Sequence, residues 1–226
     1  MKLGKGISTV FLVLTLLLIF STLMSSGCQS LKQSRKYDED DRWICPEYAD
    51  VPLRQGYFEE AIERHLKVLA QDPGNALAHY HLGYAYGQLG VHDDEAVEYL
   101  KAFDLGLERG DLFYNLGMAY MELEDYSRAE QAFHRAVDIE PSYGDNHRAL
   151  GTAYYKQEYY HDAIISCRKA TILAPDDPDS WHCLAVAAAK ANEVGESWAA
   201  VKQLRNLDPD YRFDPVLLEL FPSEKK

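Results

Sequence analysis

"HYHLGYAYGQLG", residues 79–90, has the apolar spacing of a helix yet carries Gly83 and Gly87 inside it. Each interior glycine costs a helix about 1 kcal/mol relative to alanine. The stretch returns as "YNLGMAYMEL" from Tyr114, "RALGTAYYKQ" from Arg148 and "HCLAVAAAKA" from His182. Leu82, Leu116, Leu150 and Leu184 are 34 residues apart, followed by Gly83, Gly117, Gly151 and Ala185, then by Tyr86, Tyr120, Tyr154 and Ala188. A second series keeps the same interval: Ala129, Ala163 and Ser197; Phe133, Cys167 and Val201; Ala136, Ala170 and Leu204; Pro141, Pro175 and Pro209. Such phase over four periods is an internal repeat, and its length fits a helix-turn-helix unit stacked into a solenoid.

The chemistry of each position agrees. Leu116, Gly117 and Tyr120 share one helical face. The turn "ELEDYSRA" leads into a second apolar stripe of Ala129, Phe133, Ala136 and Val137. Antiparallel helices approach closely only where side chains are small, so Gly117 and Ala129 are the expected contact points. Pro141 closes the second helix, because a residue before proline is pushed out of the helical region. The glycine is therefore expected to serve packing between helices.

The pattern resembles the tetratricopeptide repeat, with its Leu-Gly-x-x-Tyr first helix, Ala…Phe…Ala second helix and closing proline. The resemblance covers four units: 76–109, 110–143, 144–177 and 178–211. It implies an all-α fold, a right-handed superhelical solenoid of antiparallel helix pairs. The first unit departs from the pattern, with Ala96 one residue late and Leu107 where proline is expected; the fourth carries Ala185 and Ala188. Residues 42–75 read as a degenerate or half repeat. "GYFEEAIERHLKVLAQDP" resembles a second helix, whereas Pro46 and Pro52 interrupt "CPEYADVPLRQ". Residues 212–226 hold "DPVLLELF", read as a cap over the last unit, with a docking segment as the alternative.

The N-terminus is a different material. Lys2 and Lys5 precede an uncharged apolar run from Ile7 to Met24, and small residues lead to Cys28. Residues 1–27 read as a secretory signal. "LMSSG" before Cys28 resembles a bacterial lipoprotein processing site, which implies lipidation of Cys28 and membrane attachment through that lipid. An uncleaved anchor helix and plain secretion are the alternatives. All three put the repeats outside the cytoplasm, since the lysines favour an N-terminus held inside. Gln29 after the cysteine is compatible, by resemblance to enteric lipoproteins, with the periplasmic side of the outer membrane rather than the inner. Residues 28–41 read as a flexible tether.

The chain carries a formal charge of −13; loss of residues 1–27, with two lysines and no acid, takes it to −15. That balance speaks against nucleic acid, which calls for basic patches. Among eight histidines, His79 and His81 lie two apart and point about 200° from each other on a helix, so they do not chelate together. There is no His-x-x-x-His pair beside an acid, no Cys-x-x-Cys, no serine elbow and no phosphate-binding glycine loop. The expectation is no enzyme, no metal, no cofactor and no small-molecule substrate. Cys167 replaces the core Phe133 and Cys183 lies toward the groove, so the two are expected to stay unpaired.

The resemblance further implies that first helices line a concave groove. Carried over position by position, it gives a partner-binding set of Tyr80, Tyr84, Tyr114, Asn115, Met118, Arg148, Thr152 and Tyr155. The family's clamp for chaperone carboxyl termini has only Asn115 in place; Tyr80, Tyr84, Asp145 and Ala149 stand at its other positions. Tyrosine and methionine are enriched at protein-binding surfaces. The expected function is a scaffold anchored in the bacterial envelope that holds a peptide or protein, similar in layout to lipoproteins that assemble type IV pili or gather cell-wall enzymes. The rival reading is a self-associating structural module of an envelope machine.

Overall fold

The computed structural model describes residues 44–222, which lie in one compact unit spanning Asp40–Lys226. The signal reading of 1–27, the tether of 28–41 and Cys28 lie outside the described residues. Among the described residues there are eleven helices and no strand: α1 Glu47–Gln55, α2 Phe58–Gln71, α3 Ala76–Gln88, α4 His92–Asp104, α5 Gly110–Glu122, α6 Tyr126–Ile139, α7 Gly144–Lys156, α8 Tyr160–Leu173, α9 Pro178–Lys190, α10 Val194–Leu207 and α11 Pro215–Leu220. From α1 to α10 each helix packs on its neighbours in sequence, α11 packs on α9, and successive first helices (α3, α5, α7, α9) also touch. None of these helices is long and apolar enough to cross a membrane.

The turns repeat with the sequence. Gly56, Gly90, Glu124, Glu158 and Asn192 all have positive φ, between 57° and 79°, at intervals of 34 residues. Gly56 thus puts the first helix pair in phase with the four units that follow. Residues 44–75 hold two helices, α1 and α2, as each following unit does. The two prolines that were expected to interrupt the first helix are accommodated: Pro46 is its N-cap, and Pro52 sits buried inside it. A proline at 52 cannot donate to the carbonyl four residues back. The Arg64 guanidinium of α2 donates to that orphaned Tyr48 carbonyl instead. The local rule failed because a neighbouring helix supplies the missing donor.

Another device recurs at the unit boundary. His79 Nε2 meets the Pro73 carbonyl at 3.2 Å, His147 Nε2 the Pro141 carbonyl at 2.9 Å, and Trp181 Nε1 donates to the Pro175 carbonyl at 2.7 Å. In the unit that lacks the proline, the same two positions are Leu107 and Phe113, both buried in the apolar core. The departure at 107 is matched by a change in its partner.

Gly117 does serve packing: a Cβ there would come within 2.5–2.8 Å of the Phe133 ring. The out-of-phase first unit places Glu95, 7 % exposed, where later units have Ala129 and Ala163. Burial raises its carboxyl above the usual range against an opposing hydrogen bond from His92. At the C-terminal end, α11 begins with Pro215 in the first turn and is capped by Asp214, whose Oδ1 accepts from Val216 N at 2.8 Å. Its Leu217 is buried in the core of the last unit with Phe213.

Candidate binding groove

Two cavities open between successive first helices. One of about 360 Å³ lies between α5, α6 and α7, with Tyr114, Met118, Met121 and Phe133 as its apolar wall and Arg148 and Thr152 opposite. The other, about 220 Å³, lies between α3, α4 and α5 and takes in Tyr84, Gln88, Asn115 and again Met118. Met118 is the shared lip and is 39 % exposed. Glu122 lines both, and Glu124 adds a second carboxylate to the larger one.

Of the expected groove residues, Met118, Tyr114, Arg148 and Thr152 meet at the larger cavity, and Tyr84, Asn115 and Met118 at the smaller. Tyr80 and Tyr155 line neither. Tyr80 is built into the wall: its ring lies 5.6 Å from that of buried Tyr99, Asn115 Nδ2 donates to its hydroxyl at 3.3 Å, and Arg109 stacks 5.4 Å above it. Burial, helped by the Asp111 carboxylate, pushes its phenol up to about 12, so it stays neutral. Tyr155 packs against the last core cluster, 5.7 Å from Tyr160. Tyr114 is half-buried against Phe133, at 5.9 Å between rings, so it is both wall and lining. Arg148 is held by Asp145 at 2.8 Å and faces Asp177 at 3.6 Å. Thr152 spends its hydroxyl on the Arg148 carbonyl at 2.9 Å.

The expectation that Cys167 and Cys183 stay apart is overturned: they form a disulfide, with Cα atoms 5.6 Å apart. The reason lies between units. One period upstream, the same positions are Phe133 and Ala149, which line one cavity together; two periods upstream they are Tyr99 and Asn115, which line the other. The pair is adjacent wherever one unit's second helix meets the next unit's first. Reading each helical face separately missed that stacking.

His79 and His81 do part company. His79 Nδ1 meets Glu98, whereas His81 Nδ1 turns to Asp50 Oδ1 at 2.9 Å. Asp50 also meets His65 Nε2 at 3.1 Å, and the Cys45 thiol completes a cluster of four potential metal-ligating groups. No local spacing announces it, because the four lie on three helices and on the segment that leads into the first. Burial and the Asp50 carboxylate push the Cys45 thiol up to about 12, and burial holds the His81 imidazole below its usual value.

Comparison with known proteins agrees with this architecture. Residues 45–90 match the family described as "TPR repeat" and residues 110–143 the one described as "Tetratricopeptide repeat". The fold is a tetratricopeptide-repeat solenoid. Among solved structures, the crystal structure of MamA superposes with a TM-score of 0.70 at 23 % identity, covering 74 % of this chain and 97 % of that one. YrrB, described as a TPR protein with an unusual peptide-binding site, gives 0.68 at 22 % identity, covering 73 % and 85 %. A MamA fragment from Desulfovibrio magneticus gives 0.65 at 19 %, covering 80 % and 94 %. Among curated proteins, none matches this chain by sequence.

Proposed function

We propose that this chain is a non-enzymatic scaffold of the bacterial envelope that holds an apolar peptide segment of a partner protein across the α5–α7 cavity. The observation that carries this reading is the exposed Met118 lip joining two cavities walled by Tyr84, Tyr114 and Phe133. Aromatic and methionine side chains offer large, adaptable contact area. Glu122 and Glu124 at the rim favour a segment with basic residues beside its apolar anchor. YrrB, a similar fold with a peptide-binding site of its own, supports a peptide-binding use of this one.

A photo-crosslinking residue at Lys156, which lines the larger cavity, is the direct test in intact cells. It should capture a partner, and Tyr84→Ala with Met118→Ala should weaken capture at least tenfold, about 1.4 kcal/mol. Tyr84 and Met118 are 37 % and 39 % exposed, so the melting temperature should move little. Truncating Tyr80 or Tyr114 would mix binding with packing. Capture undiminished in the double variant sinks the groove reading. Ile165 and Ile172, two turns apart on α8 and both strongly exposed, favour the rival reading of a self-associating module. Crosslinks from Ile172 to a second copy, with none from Lys156, would select it.

For the anchor, the proposal is a lipid on Cys28. It is supported by the basic start, the apolar run and the small residues before the cysteine. The Cys167–Cys183 bond suits an oxidising compartment outside the cytoplasm. Cys28→Ser should abolish fatty-acid labelling and leave an unprocessed precursor; labelling that persists refutes the lipid. Fractionation to the inner membrane would count against outer-membrane sorting.

A further inference from the structure

We propose that Cys45, Asp50, His65 and His81 form a zinc site that ties the first helix pair to the next unit. The four donor atoms lie within 4.8 Å of one another. Zinc–ligand bonds of about 2.0–2.3 Å place tetrahedral donors about 3.3–3.8 Å apart, so a small inward shift closes the shell. The donor set of one thiolate, one carboxylate and two neutral imidazoles excludes the hard oxygen-seeking cations and neutralises a divalent ion completely. Binding replaces the Cys45 S–H bond with a sulfur–zinc bond and releases that proton to solvent.

The geometry is prepared for an ion. His65 is fully buried, and its Nδ1 lies 2.8 Å from the Ala61 carbonyl of its own helix. That contact fixes the ring so that Nε2 faces Asp50, the outer-shell arrangement usual for a ligating histidine. His81 and Asp50 keep 18 % and 19 % of their side chains exposed, which gives the ion an entry path. The buried apolar cluster at this end is small: Cys45, Ala49, Val68 and Ala78, with Leu69 and Leu77 half-buried against it.

The repeat register adds an independent argument. His65 and His81 occupy the positions that become Tyr99 and Asn115, then Phe133 and Ala149, then Cys167 and Cys183. The inter-unit seam is filled by side chains in the middle of the solenoid and closed by a disulfide near its C-terminal end. Terminal units have a neighbour on one side only and are the ones that need extra fastening. At the N-terminal end the same seam carries two imidazoles, with Cys45 and Asp50 reaching it from the first unit.

The test uses the full chain in detergent, stripped with chelator, its Cys167–Cys183 bond kept oxidised. Cobalt(II) should bind at one equivalent, with a thiolate charge-transfer band and the strong visible bands of a tetrahedral ion, and zinc should displace it. Zinc should raise the melting temperature by roughly 5 °C or more. Cys28→Ser should keep the band and Cys45→Ser should lose it. His81→Gln, at a partly exposed position, should weaken binding at least tenfold even if the cysteine variant folds poorly. No thiolate band in the wild type overturns the proposal. So does a band that survives Cys45→Ser, zinc that fails to displace cobalt, or a zinc-dependent shift undiminished in His81→Gln.

Discussion

Gly117→Leu should lower stability by about 3 kcal/mol, the upper end of the usual cost of overpacking a core. In a chain of this size that is a fall of roughly 6–12 °C in melting temperature. The Phe133 ring lies 2.5–2.8 Å from where a single added carbon would sit, and that ring is itself fully buried. The ring has nowhere to go without moving α6 away from α5. Because each unit is stabilised by its neighbours, hydrogen exchange should quicken in α7 and α8 as well as within the mutated pair. The fourth unit indicates how evolution can fill such a site, since Ala185 stands there opposite Val201, and both are buried. Gly117→Ala combined with Phe133→Val should therefore cost less than the sum of the two single changes, with a coupling of about 1–3 kcal/mol. Calorimetry on the three variants measures it, and strict additivity would show that the glycine and the ring are not the packing partners described.

That the glycine serves helix packing was legible in the sequence because the position repeats inside one unit; the expected contact was Ala129, whereas the atoms nearest an added carbon belong to the Phe133 ring. The helices, their turns and the closing prolines all follow from side chains three or four positions apart, or from a partner one short turn away. What lay outside such local reading was set by contacts across longer separations. The first helix forms despite Pro52 because Arg64 reaches the Tyr48 carbonyl, and nothing in "CPEYADVPLRQ" announces that donor. Tyr80 and Tyr114 carry the spacing of groove residues but share their rings with Tyr99 and Phe133 of the following helix. Tyr155 has the right register and faces the last core cluster. The cluster around Asp50 joins positions up to 36 residues apart, so no spacing rule would gather it. Met118, by contrast, is 39 % exposed at the lip of both cavities.

Breaking the Cys167–Cys183 bond should cost about 3 kcal/mol, the chain-entropy value for a closed loop of this length. At a sequence separation of 16, the cysteines fasten α8 to α9 across the unit boundary. In the Cys28→Ser chain, denatured without reductant, Cys45 should be the thiol that reacts; reduction should expose Cys167 and Cys183 as well. Reduction should speed hydrogen exchange in α9 to α11, while α1 to α4, several units away, keep their protection. A harder test separates the covalent link from the space it fills. Cys167→Phe with Cys183→Ala installs the residues found one period upstream, Phe133 and Ala149, against Gly151, the counterpart of Gly117. That variant should recover most of the lost stability by packing and should melt at the same temperature with or without reductant. Cys167→Ala with Cys183→Ala, which leaves the seam open, should stay about 3 kcal/mol below the oxidised wild type. If the oxidised Cys28→Ser chain already exposes all three thiols on denaturation, the bond does not form. If the alanine pair is as stable as the oxidised chain, the bond forms but does not hold the last unit in place.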